Sequence, residues 1–157
     1  MKTVNDLTRD LIVSYFERFI LPKVAFMPEN PKPHKQSGYL TIRRKIDGRI
    51  LLAVQIGECP PHKASEYFKF SLEKGERLFH HSNHVSSWQS RDDKNEKWGG
   101  AIIAGNYIVL FSGFPELLDE AVVLVLSLFF CWISHEKATG IAKISNNFFY
   151  PYLDRVV

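Results

Sequence analysis

Residues 99–133, GGAIIAGNYIVLFSGFPELLDEAVVLVLSLFFCWI, decide the fold. Residues 101–104 and 107–111 have the composition of β-strands, and the Gly-Asn pair between them predicts a two-residue hairpin turn. A Ser-Gly-Phe-Pro segment then breaks the second strand, and residues 116–133 have the length and apolar composition of a core helix. The stretch therefore predicts a tight hairpin that is followed by a buried helix.

The composition indicates a folded domain. The chain has 157 residues, of which 45% are apolar, and it carries 12 Phe, 3 Trp and a formal charge of +3. A chain of this length buries roughly two-thirds of its unfolded surface, so we expect one domain over residues 1–157 that needs no disulfide or metal for stability. Basic residues are scattered among acidic ones instead of forming one basic face, which argues against a nucleic-acid partner.

The sequence also argues against a membrane span. Residues 121–133 are apolar apart from Ser127, but a spanning helix needs about 20 such residues. No apolar run typical of a signal peptide follows the N-terminus. Cys59 and Cys131 lack the spacing of a redox motif or zinc site, and we expect Cys131 to be buried in the apolar helix. We therefore expect a cytoplasmic protein.

The N-terminal part predicts a helix and a long loop. Apolar residues recur at helical spacing over residues 3–21, where Thr3 is the expected cap and Pro22 the expected end of the helix. Residues 22–38 contain four prolines and predict an extended arm, which is long for a simple connection.

A second hairpin follows the arm. Asp47-Gly48 lies between the β-rich runs 39–46 and 49–56, which is a strong hairpin signal. The first run is half polar and has the charged character of an edge strand, whereas the second is apolar and predicts a central strand. Together with the first hairpin, this predicts one antiparallel sheet.

Two further helical segments complete the predicted α+β fold, in which helices cover the sheet made by the two hairpins. Residues 62–81 show an apolar stripe that includes Gly75, which suggests close approach by another element. Gly140 is the expected stop of the helix that precedes the aromatic tail, residues 141–157. Because this tail is so apolar, we expect it to dock on its own domain or on another copy.

The histidines form one candidate site. His80 and His84 are four residues apart, so on a helix they would share one face and could ligate a metal. The alternative, which we favour, is a histidine-rich helix end where protonated imidazole is stabilised by the helix dipole.

Two turns and one acidic pair supply further candidates. Ser112-Gly113 joins a strand to the start of a helix, where backbone N–H groups can bind an anion, although such a turn also needs a glycine for its geometry. Gly99-Gly100 before a strand allows close approach of a ligand or a bulge. Asp119-Glu120 are neighbours whose side chains point apart, so we interpret them as solvated or capping residues rather than as a catalytic pair.

The central stretch resembles the signature region of the GlcG/HbpS-like family, also called the haem-degrading-domain-like family. The resemblance covers about residues 40–134 and depends on three pairs of residues and their order: Gly99-Gly100, Ser112-Gly113 and Asp119-Glu120. Upstream, Lys74-Gly75 lies where the family usually has Lys-Ala.

This resemblance implies a profilin-like fold, homo-oligomers and a cleft that binds haem or a related small ligand in some members. On that basis the two glycine-containing pairs are ligand-binding candidates. If the ligand is haem, Arg91 could pair with a propionate, and His80 or His84 could ligate the iron. The leading hypothesis is a small-ligand-binding domain with haem as the candidate ligand. The alternatives are an enzyme acting on a small anionic metabolite at Ser112-Gly113, and an interaction protein whose tail, residues 141–157, builds an oligomer.

Overall fold

A four-stranded antiparallel sheet forms the centre of the fold. The computed structural model describes residues 4–156, apart from the side chains of residues 6 and 7. The strands are β1 (Gly38–Arg44), β2 (Ile50–Ile56), β3 (Ala101–Ala104) and β4 (Tyr107–Ser112). Their spatial order is β2-β1-β4-β3, so both predicted hairpins and the α+β class are confirmed.

Helices cover both faces of this sheet. They are α1 (Asp6–Tyr15), α2 (Leu21–Val24), α3 (Pro61–Phe79), α4 (Glu116–Phe129), α5 (His135–Ser145) and α6 (Phe149–Val156). Ile108 and Leu110 of β4 pack with Leu78 of α3 on one face. The alternate residues Val109 and Phe111 belong to the larger core, which α1 and α4 complete on the other face. No helix in the described part of the chain is long and apolar enough to cross a membrane.

The predicted positions of β1 and β2 are reversed. β1 pairs with both β2 and β4, so the charged strand is central and the apolar strand lies at the edge. Arg43 of β1 is nevertheless buried, because its guanidinium donates hydrogen bonds to the Gly48 carbonyl and to the Glu76 carboxylate at 2.8 and 2.7 Å. A charged residue is stable in a central strand when a neighbouring element supplies its partners.

The first helix continues further than predicted. Its cap is Asn5, whose side chain accepts a hydrogen bond from the Thr8 N–H at 2.9 Å, and the predicted cap Thr3 lies outside the described residues. A wider π-type turn, Phe16–Ile20, connects α1 to α2. Pro22 does not end the helix, because it lies in the first turn of α2, where a proline is tolerated.

The end of α4 also differs from the prediction. The helix ends at Phe129 rather than at residue 133. Cys131 has a positive φ of 59°, and the N–H groups of Cys131 and Trp132 donate back to Leu128 and Ser127 at 3.0 and 2.9 Å. This is the Schellman arrangement that closes many helices. It turns Cys131 outward, so the predicted burial of this thiol is wrong.

The C-terminal tail docks on its own domain. α5 passes through Gly140, which is therefore not a helix stop, and ends before Asn146, whose φ is 54°. α6 packs against α4 and buries Phe149 and Leu153. The tail is thus a structural part of the core.

Candidate functional site

A pocket of about 390 Å³ opens where β4 ends and α4 begins. Residues of the arm, of α3 and of the loop before β3 form the rest of its wall. Arg91, Ser112 and Gly113, three of the five predicted ligand-binding residues, line it together. Gly99 and Gly100 do not line it.

A buried ion pair forms part of the pocket wall. The Lys74 ammonium of α3 lies 2.9 Å from Asp119 Oδ2 of α4, and the two side chains are 2% and 3% exposed. Lys74 also donates to the carbonyl of Phe111 at 2.9 Å, and Asp119 Oδ1 accepts the N–H of Phe114 at 2.9 Å. The pair therefore links α3 to the junction between β4 and α4.

Burial changes the ionisation of this carboxyl. Loss of solvent raises the pKa of Asp119 to about 6, although Lys74 and the Phe114 N–H act in the opposite direction. A carboxyl group that titrates near neutrality can exchange a proton with a ligand. Both of its oxygens already accept hydrogen bonds. The main role that this geometry supports for Asp119 is therefore to hold the junction between β4 and α4 in position.

Arg91 lies at the mouth of the pocket and is held from three sides. It pairs with the carboxylate of Glu116 in the first turn of α4, and its guanidinium lies 5.0 and 5.6 Å from the rings of Trp88 and Trp98. The Glu116 carboxylate also accepts the N–H of Gly99 at 3.3 Å. About a third of the Arg91 side chain is exposed, so its fixed guanidinium still faces solvent.

Packing alone accounts for two of the glycines, so that no ligand is needed to explain them. Gly100 has a φ of 115°, and a Cβ there would lie 2.8 Å from the Lys74 ammonium. A Cβ on Gly113 would lie only 2.2 Å from the carbonyl oxygen of Ser37. Both positions therefore require glycine so that two parts of the chain can approach each other.

The histidines lie outside this pocket. α3 ends at Phe79, so His80 and His84 do not share the helical face that a metal site would need. His80 is exposed and lies 2.8 Å from Glu76. His84 stacks on His81 with ring centres 4.7 Å apart, beside a second cavity of about 240 Å³. Within the described residues, no three His, Cys, Asp or Glu side chains form a group that could hold a metal.

Glu120 forms a separate buried cluster behind the pocket. Its carboxylate accepts hydrogen bonds from Ser86 Oγ at 2.6 Å, from Asn147 Nδ2 at 3.0 Å and from the hydroxyl of Ser145. Burial raises the pKa of Glu120, while these donors lower it. The interpretation of Asp119-Glu120 as solvated is therefore wrong, although their side chains do point to different sites.

The sequence contained a signal for the ion pair. Lys74 falls on the buried stripe of α3, at helical spacing from Tyr67, Ser71 and Leu78. A lysine on such a stripe needs a buried partner, and the acidic residues inside the apolar run of α4 are the candidates. Lys32 and Lys35 of the arm also line the pocket, and no local pattern predicted this.

Comparison of the chain with protein-family models, with curated proteins and with solved structures gave no match.

Proposed function

We propose that the chain is a small-ligand-binding domain and that its ligand occupies the pocket at the start of α4. The observation that supports this most strongly is that Arg91 and Ser112-Gly113, predicted separately from the sequence, line one cavity. Its volume of about 390 Å³ lies within the range of small-molecule sites. Tyr67 and Trp98 add the aromatic walls that are typical of such sites.

Amide chemical-shift mapping tests this proposal. A panel of small carboxylates, phosphates and neutral aromatic compounds is titrated into the ¹⁵N-labelled full chain. We expect the amide signals of Ser112, Gly113 and Glu116 to move, while those of exposed Gly140 on α5 stay in place. If no compound of the panel moves the pocket signals, or if the shifts cluster elsewhere, the proposal fails.

The resemblance to the GlcG/HbpS-like family is part of this proposal. The four-stranded antiparallel sheet with helices on both faces is compatible with the profilin-like fold that the resemblance implies. We propose a cytoplasmic location, in keeping with two free cysteines.

The resemblance also implies homo-oligomers, and one surface supports this proposal. Phe148, Tyr152 and Val156 follow one another at four-residue spacing and are 42%, 48% and 52% exposed. An apolar stripe of this kind is suited to an interface with a second copy. Light scattering should give a mass above 18.1 kDa that the double substitution Tyr152→Gln/Val156→Gln lowers. A wild-type chain that is monomeric at high concentration contradicts the oligomer.

Haem remains a ligand proposal that rests on the resemblance. Among the described residues, no His side chain lines the pocket, so the imidazole ligation that the sequence suggested would have to come from elsewhere. The observation that favours an imidazole elsewhere is His84, whose buried Nδ1 makes no hydrogen bond within the described residues. Haem titration that gives a Soret shift in the wild type and none in His84→Ala supports haem binding. A titration without a Soret shift excludes it.

A further inference from the structure

The charges around the pocket do not balance. Seven charged side chains line it, and they are Lys32, Lys35, Lys74 and Arg91 on the basic side and Glu66, Glu116 and Asp119 on the acidic side. Each of these acids already forms an ion pair with a basic residue. Lys32 and Lys35, by contrast, form no ion pair within 4 Å among the described residues. The pocket therefore holds excess positive charge that an added anion would offset.

The surroundings of Lys35 disfavour its charged form. It is half-buried, and its pKa is lowered first by this burial and then by the neighbouring charges of Lys32 and Lys63, although Asp119 and Glu66 act in the opposite direction. Nearby cations without enough anions repel one another, and a bound anion would relieve that repulsion. The arm thus delivers a concentrated positive charge to one side of the pocket.

Lys74 supplies a second basic group in the pocket wall. An ammonium group has three N–H donors, and within the described residues Lys74 uses two of them, on the Phe111 carbonyl and on Asp119. Its side chain is only 2% exposed and yet lines the cavity. The third donor of a fixed, buried ammonium is well suited to an anionic oxygen of a ligand.

The remaining wall is apolar. Tyr67, Phe70 and Phe114 line the pocket together with Trp98. Such surfaces favour an apolar or aromatic body rather than a bare inorganic ion.

We propose that the ligand is a small organic anion, a carboxylate or a phosphate ester with an apolar body, which Lys35 and Lys74 bind between them. This inference rests on the proposed function and specifies the class of ligand for the same pocket.

Four related probes test the class of ligand. Benzoate and phenyl phosphate carry the anionic group on an aromatic ring, whereas benzamide and phenol are their neutral counterparts. In shift titrations of the full chain we expect both anions to bind at the pocket and the neutral compounds to bind more weakly. A difference between the two anions distinguishes a carboxylate site from a phosphate site.

Variants of Lys35 test the role of its charge. Lys35→Gln should lower the affinity for both anions roughly three- to tenfold and leave the affinity for the neutral compounds unchanged. Lys35→Arg should retain most of the affinity for the anions. Lys143→Gln is the matched control, because it removes the same charge from an exposed position on α5 that does not line the pocket. It should leave both anion affinities unchanged.

The outcomes separate this inference from the proposed function. If the neutral compounds bind at the pocket as well as the anions do, the anionic class is wrong, and if Lys35→Gln changes no affinity, the assignment of the anion to Lys35 is wrong. Either result overturns the inference, whereas small-ligand binding survives. If neither anion moves the pocket signals at millimolar concentration, the inference is also overturned. Failure of the whole compound panel overturns the proposed function as well.

Discussion

Asp119 and Glu120 are neighbours on α4, both are buried, and they are stabilised in opposite ways. Asp119 is paired with the charged Lys74 beside an open pocket. Among the described residues, the donors to Glu120 are all neutral and come from Ser86, Ser145 and Asn147. The first site contains a cation that a ligand can approach, whereas the second is closed. One helix therefore uses one acid at the proposed binding site and the next to fasten the tail.

The difference has an energetic basis. A buried ion pair depends on both charges, because removal of either one leaves the other uncompensated in a region of low polarity. A carboxylate held by hydroxyl and amide groups depends on geometry more than on charge, and a neutral side chain of the same shape can replace it. Substitutions at the two sites should therefore separate charge from shape.

The largest effect is expected at the ion pair. Lys74→Met keeps most of the apolar stem but leaves Asp119 buried without its cation, and it should lower the free energy of unfolding by about 3–5 kcal/mol. Urea denaturation at neutral pH measures this change. Lys143→Met provides the control, because exposed Lys143 has no ion pair within the described residues and its substitution should cost little.

Removing both charges of the ion pair gives a stricter test of this explanation. The double variant Lys74→Met/Asp119→Leu removes both charges, so it should recover part of the loss seen in the single variant. A double variant that is as unstable as the sum of the two single variants would contradict the ion-pair explanation. Such additivity would indicate that packing alone matters.

A smaller loss of stability is expected at Asn147, which attaches the tail to α4. Asn147 donates to Glu120 and to the Leu117 carbonyl, and its Oδ1 accepts from the first two N–H groups of α6. Asn147→Ala should cost about 2–3 kcal/mol and speed amide exchange in α6 while α3 stays protected. Asn147→Ser keeps an oxygen that can accept from α6, so its cost should be lower. Equal exchange in both helices would show that the tail is not a separate unit.

The fold was largely predictable because its signals are local. Asp47-Gly48 and the Gly105-Asn106 pair each lie between β-rich runs, and both hairpins form there. The order of the strands was not predictable in the same way. The burial of Arg43 in a central strand depends on Glu76, which lies 33 residues further along the chain.

The candidate site was predicted only in part, for a similar reason. Ser112-Gly113 belongs to a turn whose chemistry is visible in the sequence, Arg91 was named as a partner for an anionic group, and both line one pocket. Lys74 and Asp119 are 45 residues apart, and their pairing results from the packing of α3 near the start of α4. His80 and His84 do not share the helical face that a metal site would need, because the helix ends one residue before His80.

The pH dependence of stability gives a further test of the Asp119 site. Because the pKa of Asp119 is raised from 3.8 to about 6 in the folded chain, the folded state binds this proton more tightly than the unfolded state does. Stability should therefore fall as the pH rises from about 4 to about 6. Urea denaturation across this range should give a shallower decline for Asp119→Asn than for the wild type. Identical slopes would mean that Asp119 does not titrate there.

The smallest effect is expected at Glu120. In Glu120→Gln the remaining oxygen can still accept from Ser145 and Asn147, and the new amide can donate to the Ser86 hydroxyl, which reverses one hydrogen bond. We expect a loss below about 1 kcal/mol at neutral pH. Asp119→Asn should cost more, because its NH₂ group would face either the Lys74 ammonium or the Phe114 N–H, and both of these are donors. If Glu120→Gln proves as costly as Asp119→Asn, the charge of Glu120 matters as much as that of Asp119, and the division of α4 into a charged pocket side and a neutral tail side is wrong.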